Sequence, residues 1–502
     1  MLLAEVVATS EQVAGTSARS AKVAALAHLV TRLAADEVEP VVALLSGEVR
    51  QGRIGVGWAT LAAVTATPAP AGEPTVTIGD LVRALDQVAA ATGRGSAASR
   101  ARVLGDLFGR ATAAEGDFLR RLLSGELRQG ALEGVMVDAV ARAAGVPVAA
   151  LRRAAMLAGD LPAVARLALE GGEEALAGVG LRVLSPVKPM LAAGAPDVAA
   201  ALEGCGRASV EWKLDGARIQ VHRLGEGVAV FTRSLRDVTD RLPGIVAAAR
   251  SLPASSFVLD GEAMGWDEEE RPGRFQETMS RFGRQDGVAG ASLGARFFDC
   301  LHLDGEDLLD RPLLERVEAL ERVAGPWRVP SIVTSDPAEA ARFSEQALAA
   351  GHEGVMVKAV DSPYEAGRRG GAWRKVKPVQ TFDLVVLAAE WGHGRRQGWL
   401  SNLHLGARTE DGPVMVGKTF KGLTDALLTW QTAEFLAREI SRSGITVHVR
   451  PELVVEVAID GVQASTRYPG GVALRFARVK RYRPDKATAE ADTIESLRRL
   501  LG

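Results

Sequence analysis

The chain has 502 residues, 47% of them hydrophobic and 24% charged, with a formal net charge of -2. That length and apolar content can supply about three separately cored domains. The near-neutral balance excludes a nucleic-acid surface built on overall basicity and leaves only local clusters of arginine and lysine.

Cys205 and Cys300 are the only cysteines, too few for a cysteine-built zinc site or a disulfide framework, and they fit a reducing, cytoplasmic setting. The N-terminus, MLLAEVVATS, has no basic region followed by a long apolar one, and no window approaches the roughly 18 apolar residues of a membrane span. Neither secretion nor membrane insertion is expected.

From the start to about residue 180 the chain is rich in Ala, Leu and Arg with apolar residues at helical spacing, as where Val23, Leu26, Val30 and Leu33 share a face. This third reads as nearly all helix, broken by the proline-rich stretch 67–75 and by Gly125, Gly130 and Gly145. The segment LLSGELRQGALEGVM reads as helix, turn, helix with Arg128 on the turn. Such a corner either holds a phosphate, since a helix N-terminus and a guanidinium attract the same anion, or is an ordinary solvated connection.

Near residue 184 the texture changes to LSPVKPML, where Pro186 and Pro189 impose an extended path, and a domain boundary falls just before it. From there to about 380, short strand patterns alternate with helices at 310–323 and 337–350, which predicts an α+β domain on antiparallel sheet. Beyond Lys377 and Pro378 the pattern is mostly strand. One helix interrupts it at about 424–442, with Thr424 or Asp425 as its cap. A barrel of about five strands of the oligonucleotide-binding type accounts for that count. The division is therefore 1–183 all-helical, 184–380 α+β, and 381–502 β-barrel.

Within the middle third, EWKLDGAR (Glu211 to Arg218) places a lysine at a strand-to-turn junction, with an aspartate two residues on and a glycine to let the chain turn. Lys213 is a candidate covalent nucleophile. Charged and aromatic residues recur at later strand ends: Arg218, Arg233, Glu262, Phe298, Glu353, Lys358, Arg369, Lys375 and Lys377. Cations that neutralise a triphosphate, glutamates that hold Mg²⁺ and a ring that stacks on a base together point to nucleotidyl transfer. A lysine with a reference pKa of about 10.4 is mostly protonated at neutral pH, so the surplus of cations would serve to free its amine.

These residues resemble the motifs of the ATP-dependent DNA ligases, in the covalent nucleotidyltransferase superfamily, over nearly the whole chain. KLDGAR is similar to the nucleophile motif, LDGE to the motif holding Glu262, EGVMVK to that holding Glu353 and Lys358, and RRGGAWRKVK to the lysine-rich segment with Arg369, Lys375 and Lys377. The resemblance implies that Lys213 carries AMP from ATP and that Glu211 and Phe298 meet the adenine, with Phe297 as the alternative ring. It also implies that Arg218 and Arg233 approach ribose and phosphate, that Glu262 meets the ribose or the metal, and that Glu353 serves Mg²⁺, with Mn²⁺ as a substitute. RYRPDK is similar to the last motif, so Arg481, Arg483, Asp485 and Lys486 would orient the departing pyrophosphate. GELRQG resembles part of the DNA-binding domain of larger ligases, which favours the phosphate reading of Arg128.

The implied partner is nicked duplex DNA, handled by a monomer in replication, recombination and repair, with the barrel swinging about a linker near Lys377 to Phe382. A GTP-using RNA-capping enzyme shares the lysine chemistry but fits the helical N-terminal third and the RPDK ending less well. The lack of a four-cysteine site argues against an NAD-dependent ligase, and a catalytically dead scaffold would have no use for the pocket residues. GPVMVGKT (Gly412 to Thr419) formally satisfies the P-loop pattern. Its core is β-like and Glu410-Asp411-Gly412 before it reads as a hairpin turn, which argues against a phosphate loop.

Overall fold

The computed structural model describes residues 1–52, 54–57, 60–61, 64, 69–93, 95–127, 133–265, 293–365 and 369–501, with only the main chain of Arg369. Arg128 lies outside the described residues.

Local capping starts several of the N-terminal helices. Thr77 Oγ1 accepts from Asp80 N at 3.1 Å while Asp80 Oδ2 accepts from Thr77 N at 3.2 Å. This reciprocal cap satisfies donors that the first turn leaves unpaired. The helix it opens buries Ile78, Leu81, Leu85 and Val88, one face at 3.6-residue spacing. Among the described residues the N-terminal part holds α1 Leu3–Gly15, α2 Arg19–Val30, α3 Ala35–Leu45, α4 Ile78–Ala90, α5 Ser96–Arg110, α6 Ala113–Leu123, α7 Glu133–Ala144, α8 Val148–Ala158 and α9 Leu161–Ala177. They share one core. Leu26 of the predicted α2 stripe is buried there with Val23 and Leu33 at its margin, and Val30 is also buried.

Two residues of α8 face elsewhere. Met156 and Leu157 pack with Val187, Met190, Tyr364 and Trp373 of the following part. Lys188 N also donates to Met156 O at 3.0 Å. The helical part is thus seated on the next one through apolar packing, with the ion pairs Arg153–Asp310 and Lys188–Glu133 beside it.

Among the described residues the middle part carries two five-stranded sheets. One has the order β1-β10-β9-β2-β8, built from β1 Leu191–Gly194, β2 Ala208–Lys213, β8 Ser331–Thr334, β9 Gly354–Ala359 and β10 Arg369–Val376. The other has the order β4-β3-β5-β6-β7, built from β3 Ala217–Leu224, β4 Gly227–Thr232, β5 Ser256–Met264, β6 Gly294–Leu303 and β7 Glu306–Asp307. Pairing is antiparallel except between β1 and β10. Helices α10 Val198–Glu203, α11 Pro243–Ser251, α12 Leu313–Ala324 and α13 Pro337–Ala349 pack on these sheets. A buried ion pair, Arg316 of α12 with Asp299 of β6, ties helix to strand at 2.7 Å.

The C-terminal part has β11 Gln380–Trp391, β12 Leu400–Thr409, β13 Gly412–Thr419, α14 Asp425–Ala437, β14 Glu439–Ser443, β15 Thr446–Val449, β16 Val454–Ile459, β17 Gly461–Ala464, β18 Val472–Arg475, β19 Arg478–Tyr482 and the short α15 Ile494–Arg498. Its main sheet runs β13-β12-β11-β15-β14, with β16 paired to β11 and β19 to β16, and β17 and β18 form a separate ribbon. The pairings among the described residues do not close this sheet, so the part is sheet-rich but not demonstrably a barrel.

Two local readings change and a third, the strand reading of GPVMVGKT, holds. The helix expected to reach 442 ends at Ala437, because the following residues pair as the hairpin β14–β15, whose turn uses Gly444 at φ +59°. The run VALRFARVKRY is two strands, broken where Phe476 takes φ +53°. GPVMVGKT is strand β13, paired with β12 and not followed directly by a helix. Its Lys418 is engaged by Glu390 of β11, which removes the P-loop reading.

Candidate active site

Strand pairing brings the separated motifs together. In the antiparallel pair β2–β9, Ser209 faces Lys358 and Lys213 faces Gly354. Glu353 N donates to Lys213 O at 3.1 Å, which puts Glu353 beside the lysine that ends β2. In β3–β5, Arg218 faces Glu262. Between β2 and β3, Gly216 is needed for space rather than for an unusual φ, since a Cβ there would meet Ala263 O at 2.5 Å. The turn after Lys213 therefore lies tight against β5.

The result is a cavity of about 310 Å³ lined by Glu211, Lys213, Asp215, Arg218, Arg233, Glu262, Phe298, Glu353, Lys358, Lys375 and Lys377 among others. Lys213 Nζ is ion-paired with Glu353. Its immediate charged partner is thus a carboxylate, one of the opposed charges expected around it, and the cations expected to free its amine stand farther off. Lys377 reaches the other oxygen of Glu353 at 3.3 Å and Asp460 at 2.9 Å. Burial raises the Glu353 carboxyl, but Lys213 and Lys377 outweigh this and hold it below the usual carboxylate range. Glu262, with no comparable compensation, is pushed up to about 7 by burial, against the pull of Lys213 and Arg218.

The other wall is aromatic and ionic. Lys358, 1% exposed, bonds Glu211 at 2.6 Å and lies 4.5 Å from the Phe298 ring centroid and 4.1 Å from that of Trp373. Burial raises the Glu211 carboxyl, with Lys358 acting against it. Arg218 is held by both oxygens of Asp260 at 3.1 and 2.7 Å, by Met190 O at 2.6 Å and by Tyr364 Oη at 3.3 Å. Burial works against its charge, yet Asp260 prevails and keeps it protonated more firmly than usual. Arg218 is therefore a fixed positive wall.

Phe298 lines the cavity while Phe297 is buried in the core behind it, which selects Phe298 as the ring that faces a ligand. Arg369 begins β10, opposite Leu191. The four residues of RYRPDK are not in the cavity. Arg481 binds Glu456 at 2.8 Å, while Arg483 and Lys486 bind Asp383 at 2.9 and 2.6 Å and Asp485 binds Arg483 at 2.6 Å. Their charges are neutralised on the C-terminal sheet itself. In their place the C-terminal part presents Arg475 and Phe476 to the cavity.

Sequence reasoning passed over Asp260, Tyr364, Trp373 and Arg475, and weighed Asp460 only as the acidic partner of the rejected P-loop. Asp260 was findable, since it lies two residues before Glu262 and so on the same face of β5. Asp460 and Arg475 carried no local signal.

Family models match three stretches: "DNA ligase N terminus" at residues 64–141, "ATP dependent DNA ligase domain" at 189–377 and "ATP dependent DNA ligase C terminal region" at 396–486. A probable DNA ligase of Saccharopolyspora erythraea is 58% identical over 100% of this chain and 98% of its own length. The chain belongs to the ATP-dependent DNA ligase family. A probable DNA ligase of Rhodococcus opacus is likewise 58% identical, over the full length of both. The solved structure "Pmar-Lig_PreS3" covers 95% of this ligase and 99% of itself at a TM-score of 0.65 and 17% identity, a likeness of fold. No helix among the described residues is long and apolar enough to cross a membrane.

Proposed function

We propose that this ligase seals nicks in duplex DNA with Lys213 as the residue that carries AMP. The observation that carries the assignment is the position of Lys213 at the end of β2, in one cavity with Arg218, Arg233, Lys375, Lys377, Glu262, Glu353 and Phe298. In the first step the Lys213 amine attacks the α-phosphorus of ATP. An N–P bond forms, the bond to the β-phosphate oxygen breaks, and pyrophosphate leaves. In the second, a 5′-phosphate oxygen takes the adenylyl group and the lysine amine regains its proton. In the third, the 3′-hydroxyl attacks the adenylylated 5′-phosphorus and expels AMP.

The side chains divide this work. Glu211 and Phe298 meet the base, Arg218 and Arg233 the ribose and α-phosphate, and Lys375 and Lys377 the outer phosphates, with Arg369 added from the head of β10. Lys358 holds Glu211 in place from behind. Charge neutralisation and positioning supply most of the acceleration in such transfers.

Two hard oxygen donors of the cavity, Glu262 and Glu353, support a divalent cation there, and burial raises the Glu262 carboxyl to about 7 because Lys213 and Arg218 compensate it only in part. Glu262 and Glu353 would hold Mg²⁺, or Mn²⁺ in its place, which when bound neutralises charge on the phosphates. Occupying Glu353 in this way would also release its hold on the Lys213 amine.

We assign the helical part, residues 1–183, to gripping the duplex, with Arg128 as a phosphate contact. Residues 184–380 form the adenylation domain. Residues 381–502 form an oligonucleotide-binding barrel whose RYRPDK face reaches the pyrophosphate in another orientation. Incubation with ATP labelled at the α-phosphate should give acid-stable label on the protein. The label should be absent with γ-labelled ATP and in Lys213→Ala, and nicked DNA should discharge it. An unlabelled wild type overturns the assignment.

A further inference from the structure

Asp460 belongs to the C-terminal part, yet its carboxylate sits on a cation of the nucleotide cavity. It lies between β16 and β17, and its backbone N donates to Arg475 O at 2.9 Å, so it is anchored at the base of the β17–β18 ribbon. Its Oδ2 takes Lys377 Nζ at 2.9 Å, while Lys377 also serves Glu353 at 3.3 Å. From the same ribbon Arg475 reaches Asp215 at 3.0 Å. The ribbon therefore stands over the cavity mouth through two ion pairs of opposite sense. One is an acid lent to the cavity and the other is a base.

We infer that Asp460 occupies the place of a nucleotide phosphate on Lys377, so that an entering triphosphate must displace it and lift the ribbon from the cavity. This rests on the reading of Lys213 and Lys377 as ATP-binding groups. A carboxylate on Lys377 and the outer phosphates of ATP carry like charge and compete for one ammonium group. Asp460 is 40% exposed and Lys377 22%, so water can take up the released carboxylate at little cost. The lysine–AMP state has lost its outer phosphates, and Asp460 can return to Lys377. The latch is thus compatible with the charged enzyme that awaits DNA and opposed to ATP entry. Asp460 acts through Lys377 and is a positioning residue.

The test is single-turnover adenylation of the full chain with α-labelled ATP and Mg²⁺, without DNA. Asp460→Asn keeps the shape and removes the charge. It should lower the half-saturating ATP concentration about threefold to fivefold, as expected for one partly exposed ion pair, while the maximal rate changes less than about twofold. In a Lys377→Ala background the same substitution should leave half-saturation unchanged. Asp460→Glu should restore the wild-type value. An unchanged or raised half-saturation in Asp460→Asn, or the same drop in the Lys377→Ala background, overturns the proposal. Absence of label on the wild type would instead refute the Lys213 assignment.

Discussion

Arg475 donates from Nη1 to Asp215 Oδ2 across 3.0 Å, joining the end of β18 to the turn that follows Lys213. Two residues far apart in the chain thus close the cavity mouth between the middle and C-terminal parts.

Arg475→Ala removes a largely buried charged contact of a kind that contributes about 1.5–3 kcal/mol. Sealing of a pre-adenylylated nick should slow by about tenfold or more, whereas labelling of Lys213 without DNA should persist. Rapid-quench assays on 5′-adenylylated nicked duplex measure the first. Equal sealing rates would show that the contact is not used at that stage.

Lys358→Ala should destabilise the fold by about 3–5 kcal/mol, because it leaves Glu211 as a buried carboxylate without its cation. The paired change of Lys358→Met with Glu211→Gln should recover most of that loss. Urea unfolding of the single and double variants gives both numbers. If the single variant is as stable as wild type, the pair is not structurally important.

Glu390 in the C-terminal sheet carries a pH signature. Burial raises its carboxyl, but hydrogen bonds from Lys418, His404 and Asn402 outweigh this and bring it down to about 2. A carboxyl lowered in the fold contributes stability above its unfolded value of about 4.3, and that stability is lost as pH falls through the folded value. The stability gap between wild type and Glu390→Gln should be full at pH 7 and shrink between about pH 4 and pH 2, as read from denaturant unfolding. Lys418→Ala should lower Tm while leaving Lys213 labelling intact, the opposite of what a P-loop lysine requires.

Leu157→Ala should cost about 2–5 kcal/mol, as for a large aliphatic side chain removed from a core. Because Leu157 packs with Val187 and Met190 beyond the helical part, the loss should appear in a transition shared by the helical and middle parts. Calorimetry that resolved an unaffected, separate transition for the helical part would contradict this coupling.

Local pattern carried much of the architecture. Helical spacing marked residues 1–180, alternation marked most strands, and of the two expected caps at 424–425 the structure uses Thr424. The order and company of the motifs picked out Lys213, Glu262 and Phe298; of these only Lys213 ends its strand, whereas Glu262 and Phe298 lie inside β5 and β6, a correction to their expected strand-end positions. Phe476 and the run to 442 misled for a local reason. Helix and strand propensities are weak, and a positive φ or a hairpin partner overrides them.

What the sequence by itself determined was the set of side chains and the elements that hold them, since period and turn chemistry are properties of neighbours in the chain. Only the tertiary structure decided their partners: Glu353 on Lys213, Lys358 on Glu211, and Asp460 and Arg475 rather than RYRPDK at the cavity. Those choices depend on how sheets cross and where one part docks on another, and charge pairing between residues 83 to 260 positions apart leaves no trace in local spacing.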